Sequence, residues 1–244
     1  MSLYQDIKIA ASDGVCAALG PISPALFEKS CPRFIDGLWV TIELLAFASV
    51  IGLGIALLAV LARLSGNRFF STIAYVYTYV FRGTPLLVQL WIFYFGIGGL
   101  GEEGLGTLLW AFFKDGWNVG LLVLTLNTGA YVAEILRGGI VNVPKGQMEA
   151  ALAYGMSWLQ AMRRIILPQA FKIAWPAYGN EVILLLKGSA LISTITVLDL
   201  MGQTRTVFAR SYNLEIYLYA AVLYLLLAGL ITFVFRRIEL RLAG

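Results

Sequence analysis

Glu181 is the residue of this sequence whose chemistry most needs a purpose. It follows Asn180 inside an apolar run long enough to cross a bilayer, and Lys187 comes six residues later. Six residues turn a helix by about 240°, so Glu181 and Lys187 do not share a face and cannot readily neutralise each other. A charged side chain at the centre of such a run costs about 3 kcal/mol or more, and is kept where it faces protein or water. A carboxylate there either holds a cationic group in a cavity or bonds a polar group of a partner chain. Glu134 and Arg137 form a second constellation. They lie three residues apart and can pair on one helical face, which reads as a structural ion pair. Glu43 lies near the end of its apolar run, within reach of lipid headgroups.

Other chemistry has little to work with. Histidine is absent, which removes the commonest metal ligand and the usual general base. Cys16 and Cys31 match no metal or redox spacing. They either form a disulfide in an oxidising compartment or are two unpaired small residues. No G-x-x-x-x-G-K-[ST] loop cradles a phosphate. The chain is therefore expected to be no enzyme, with no catalytic residue, no metal and no bound cofactor.

The elements that must carry these residues follow from composition. Of 244 residues, 59% are hydrophobic and 13% are charged, about half the charge of a soluble domain. A membrane-spanning helix needs about 20 mostly apolar residues, and five stretches qualify. They are about Gly37–Ala62, a stretch within Phe69–Gly101, about Val119–Ile140, about Ile173–Ile195 and about Ile216–Phe235. The second is too long for one upright helix. Pro85 suits a first helical turn and Thr84 suits the cap before it, so Phe69–Phe81 is expected as an interfacial helix leading into a span from Thr84. A single tilted, kinked helix is the alternative. Residues 1–35 read as a polar tail without the features of a cleaved signal peptide, and 36–244 as one all-α membrane domain.

Basic residues orient it. The segments after spans one, three and five carry +2, +4 and +2, whereas the N-terminal tail carries −1 and the 102–115 loop −2. Five spans are expected, with the N-terminus outside and the C-terminus inside. The net charge of +4 is mostly this signal. No stacking platform interleaves the basic residues, so nucleic acid is not an expected partner.

The connection between spans three and four, about Gly139–Ala170, is long for a loop without a task. Pro144 can start a helix and Gly155 can end it. Met148, Ala151 and Leu152 form an apolar stripe with Glu149 to one side. A second amphipathic piece, Trp158–Leu167, is expected to end at Pro168. A short helix of this kind suits either docking into a groove on another protein or lying on lipid.

Glu149-Ala150-Ala151, three residues, Gly155, nine residues, then Ile165-x-Leu167-Pro168 resembles the signature loop of ATP-binding-cassette importer permeases at every fixed position. Arg82-Gly83-Thr84-Pro85-Leu86-Leu87-Val88-Gln89-Leu90, Asn127-Thr128-x-Ala130-Tyr131-x-x-Glu134 and Pro176-Ala177-Tyr178-x-Asn180-Glu181 are similar to the polar amino-acid branch. From about Val40 to Arg237 the chain resembles M-type subunits of histidine, lysine/arginine/ornithine and opine permeases.

The resemblance implies a type I importer transmembrane domain with five transmembrane helices and a cytoplasmic coupling helix, its coupling loop at about 141–168. Glu149, Ala150, Ala151 and Gly155 would engage the ATPase, and Glu181, Asn180, Lys187, Thr84, Gln89 and Asn127 would line the substrate pathway. Partners would be a second related permease, two ATPase subunits that use ATP and Mg, and a periplasmic binding protein, all at a bacterial inner membrane. The substrate would be a polar, cationic amino acid such as histidine, lysine, arginine, ornithine or an opine. Glutamate or glutamine is the alternative in the same class. An ion-coupled secondary transporter is the rival from another class, but the chain shows no internal repeat of the kind such folds carry.

Overall fold

The computed structural model describes Cys16 and residues 25–243. Nearly all of the expected 1–24 part of the tail lies outside the described residues. Within them the chain is helical and carries no strand, the form in which a single segment satisfies its own backbone groups in lipid. The helices are α1 (Ala25–Leu64), α2 (Arg68–Gly83), α3 (Leu86–Trp91), α4 (Gly101–Leu105), α5 (Thr107–Phe113), α6 (Gly116–Val141), α7 (Lys145–Ala153), α8 (Trp158–Ala161), α9 (Leu167–Ser189), α10 (Leu200–Ser211) and α11 (Glu215–Ala243). A π turn, Ile92–Ile97, continues α3, and another, Met162–Ile166, joins α8 to α9.

Three helices are long and apolar enough to cross a membrane: Ser30–Leu64, Gly116–Val141 and Glu215–Leu242. Two bent pairs bring the number to five if each is one span. The chain bends by 105° between Arg68–Gly83 and Leu86–Leu105, and by 51° between Trp158–Ile195 and Leu200–Ser211. The first bend falls at the Gly83-Thr84-Pro85 turn. Thr84 is the C-cap of α2, and its hydroxyl donates to the Val80 carbonyl at 2.8 Å.

Contacts divide the chain into two compact units, to both of which the long helices contribute. The first comprises residues 1–46, 89–121 and 186–228, and the second residues 47–88, 122–185 and 229–244. In the first unit, Phe34 is fully buried with Leu200, Val207, Ile216 and Ala220. That burial explains why α1 begins at Ala25 rather than near Gly37: a helix through Pro32 keeps Phe34 in the core. Cys16 and Cys31 form a disulfide in the same unit.

The second unit packs on small residues, with Ala56, Ala59, Ala74, Ala133 and Ala174 around Val60, Val132 and Leu136. Small side chains let helix backbones approach closely where lipid offers no hydrophobic drive. At Gly139 of α6 a Cβ would lie 2.5 Å from the Ala170 carbonyl oxygen of α9. Any larger residue there would push these two helices apart.

Pro168 does not end the helical piece that precedes it. It lies in the first turn of α9, and the chain stays helical from Trp158 through the π turn to Ser189. A π turn shifts the hydrogen-bonding register by one residue, and a proline in the first turn of a new register loses no bond.

Candidate functional site

Glu181 is buried, with 6% of its surface accessible, and lines a pocket of about 240 Å³ with Leu86, Asn127, Thr128 and Tyr131. The pocket is built where the start of α3 meets α6 and α9 in the second unit, beside the end of α2. The last carbonyls of a helix lack intrahelical partners, and α6 side chains serve those of α2. Asn127 Nδ2 donates to the Phe81 carbonyl at 3.2 Å, and the Tyr131 hydroxyl to the Arg82 carbonyl at 3.4 Å. Tyr77 in turn donates to the Leu126 carbonyl at 2.6 Å. These bonds fix the Arg82-Gly83-Thr84-Pro85 turn against α6.

The pocket is polar in a specific way. The buried Glu181 carboxylate lies beside Thr128, whose Oγ1 is buried without a hydrogen bond among the described residues. Arg82 is within electrostatic reach of Glu181. Its guanidinium also lies 5.4 Å from the Tyr131 ring centre and 3.9 Å from Glu134 Oε2. Glu134 also accepts from Arg137 Nε at 2.8 Å, so this carboxylate joins two arginines. The pocket thus presents a carboxylate and a hydroxyl, which can accept hydrogen bonds from a cation.

The other sequence-predicted residues distribute differently. Asn180 is exposed and lines a separate pocket of about 260 Å³ with Trp175, Gly179, Thr232 and Arg236. Thr84 is exposed at the turn. Gln89 is buried and Lys187 exposed, and both belong to the first unit. Thr128 and Tyr131 were not singled out as site residues. Tyr131 lies four residues from Asn127, a spacing that shares one face of a helix, whereas Thr128 carried no such signal.

The segment 141–168 forms a second candidate site. Pro144 precedes α7, and Gly155 follows it with φ +78°. Gly155 N–H donates to the Leu152 carbonyl at 2.9 Å and Met156 N–H to the Ala151 carbonyl at 3.1 Å. These are the two bonds of a Schellman cap, which needs a left-handed residue and so favours glycine. Ser157 then caps α8 by exchanging bonds with Gln160.

The expected stripe on α7 divides. Met148 packs on a cluster of Val143, Met162, Ile166 and Ala170, and Ala151 is buried, but Leu152 is exposed. Glu149 and Ala150 are exposed too. Leu152 shares this exposure with Tyr154 (87% accessible), Trp158 and Leu159. Sequence reasoning did not single out Tyr154, Trp158 and Leu159 as exposed apolar residues. A large aromatic immediately before the capping glycine was the available clue.

A family described as "Binding-protein-dependent transport system inner membrane component" matches residues 48–243. The chain is 41% identical over 218 residues to the nopaline transport system permease protein NocM of Agrobacterium fabrum, covering 87% of each. It is 46% identical over 207 residues to the histidine/lysine/arginine/ornithine transport system permease protein HisM of Escherichia coli, covering 84% of this chain and 87% of that one. Among solved structures, that of an amino acid ABC transporter with histidines superposes with a TM-score of 0.78 at 36% identity, over 87% of this chain and 95% of the other.

Proposed function

The chain belongs to the binding-protein-dependent transport system inner membrane component family, and on that premise we propose that it is one of two related permease subunits of an ATP-driven importer of cationic amino acids. ATP and Mg are used by two separate ATPase subunits, and a periplasmic binding protein delivers the substrate. The N-terminus lies in the periplasm and the C-terminus in the cytoplasm, an orientation supported by the distribution of lysine and arginine.

The observation that carries the cationic reading is the pocket that buries the Glu181 carboxylate beside a Thr128 hydroxyl without a hydrogen bond among the described residues, while Arg82 is shared with Glu134. A cationic side chain entering it would gain charge-assisted hydrogen bonds, which are shorter and stronger than neutral ones. A second carboxylate entering it would meet like charge.

The face of α7 supports the coupling reading. Exposed Leu152 and Tyr154 beside Glu149 suit a groove on an ATPase subunit, while Met148 and Ala151 hold α7 to the ends of α6 and α9. Closure of the ATPases would therefore move α7 together with the two helices that line the pocket, and shift a balance between two arrangements of similar energy.

The test is ATP hydrolysis by the reconstituted complex across a panel of amino acids. Stimulation by arginine, lysine, ornithine or histidine alone is expected. Stimulation by glutamate or glutamine would keep the importer and discard the charge argument at Glu181.

A further inference from the structure

Away from both sites, the end of α1 meets the start of α2 and the end of α6 around a pocket of about 480 Å³. Its walls include Arg63, Ser71, Thr72, Tyr75, Arg137 and Val141, and no acidic residue lines it. Arg63 Nη1 is buried and makes no hydrogen bond among the described residues. The rest of that guanidinium lies 5.0 Å from the Tyr75 ring centre. Arg137 uses Nε on Glu134, a carboxylate it shares with Arg82. The pocket therefore has a surplus of positive charge, two guanidinium groups and three hydroxyls.

That donor set matches an oxyanion with several acceptor oxygens. Guanidinium forks fit phosphate geometry, and hydroxyls complete the shell. What surrounds the pocket indicates how the phosphate arrives. Val141 is 68% exposed on its wall, and the turns of α2 that supply Ser71 and Thr72 also expose Phe69 (67%), Phe70 (54%) and Ile73 (53%). The site lies beside the Arg63–Arg68 connection, at the end of a span where lipid headgroups are found. Basic pockets between helix ends at this depth suit anionic lipids.

We propose that this pocket holds the phosphate of an anionic phospholipid headgroup, with the acyl chains running along the exposed apolar side chains of α2 and Val141. The bound lipid bridges α1, α2 and α6, and α6 leads directly into α7. The assignment does not depend on which substrate the permease carries.

The experiment uses the assembled complex, stripped of lipid in detergent and titrated with phosphatidylglycerol or phosphatidylcholine, with retained lipid counted by native mass spectrometry. Preferential retention of phosphatidylglycerol by about tenfold is expected, because both lipids offer a phosphate but the choline ammonium adds a positive charge that the surplus in the pocket repels. Arg63→Gln should lose most of that preference, and the milder Thr72→Val part of it. No preference in the wild-type complex overturns the proposal, whatever the variants do. Equal retention by wild type and both variants places the lipid elsewhere and also overturns it. Displacement of the lipid by millimolar inorganic phosphate would assign the pocket to free phosphate instead and overturn the lipid assignment.

Discussion

Asn180 and Glu181 are adjacent on α9 yet open on different pockets, Glu181 beside Asn127 and Asn180 beside Arg236. Successive residues on a helix point about 100° apart, so only one of the two faces Leu86 of α3 and Asn127 of α6. This separation gives the pair opposite expectations. In proteoliposomes, Glu181→Gln should raise the KM for arginine about tenfold, the worth of a hydrogen bond to a charged group, with the complex still assembled. Asn180→Ala should leave the preference for cationic over neutral amino acids as it is. Unchanged arginine kinetics in Glu181→Gln would remove the carboxylate from the substrate site.

The cap of α7 leads to a second expectation. Gly155→Pro demands φ near −65° at a residue whose φ is +78°, and deletes the N–H that reaches Leu152. Gly155→Ala keeps the N–H and costs about 1–2 kcal/mol of left-handed strain. Substrate-stimulated transport should therefore fall steeply in Gly155→Pro and mildly in Gly155→Ala, while basal ATP hydrolysis persists. Glu149→Arg should uncouple hydrolysis from transport through the docking face instead. Normal stimulated transport in both Gly155→Pro and Glu149→Arg would take α7 out of the coupling pathway.

Much of this was legible in the sequence because it is local. The α7 helix with its start after Pro144 and its glycine cap depends on neighbours within a few residues, and so does the Glu134–Arg137 pair. The number of candidate spans follows from apolar length alone. What escaped depends on distant partners. Nothing near Phe34 in the sequence says that it is buried against Leu200 and Ile216, so the early start of α1 was not visible. Arg82 joining Glu134, and Asn127 and Tyr131 closing the end of α2, require α2 and α6 to be placed together first. The continuous helix through Pro168 needed a π turn, which has no sequence signature as plain as the proline that conceals it.

Asp199 provides an expectation about stability. It lies at the bend between Trp158–Ile195 and Leu200–Ser211, fully buried, and its Oδ1 accepts from Gly202 N–H at 2.9 Å as the cap of α10. Asp199→Ala removes this cap, which costs about 1 kcal/mol, and should lower the thermal midpoint of the protein in detergent by about 2–4 °C. An unchanged midpoint would show that the cap does not hold α10 in place.

The Cys16–Cys31 disulfide ties topology to chemistry. Such a bond persists where the compartment is oxidising, which agrees with an N-terminus outside the cytoplasm. Its partners differ in access, since Cys31 is buried and Cys16 is partly exposed. In spheroplasts a membrane-impermeant maleimide should therefore leave the chain unlabelled at first and label it at Cys16 once an impermeant reductant has been added. Replacing both cysteines by serine should lower the thermal midpoint by several degrees, because the bridge closes a loop with a sequence separation of 15, and loops of that length lose about 3 kcal/mol when opened. Labelling that appears only after the membrane is permeabilised would put the N-terminus in the cytoplasm. That result would reverse the orientation of every span, and α7 would then face away from any cytoplasmic ATPase.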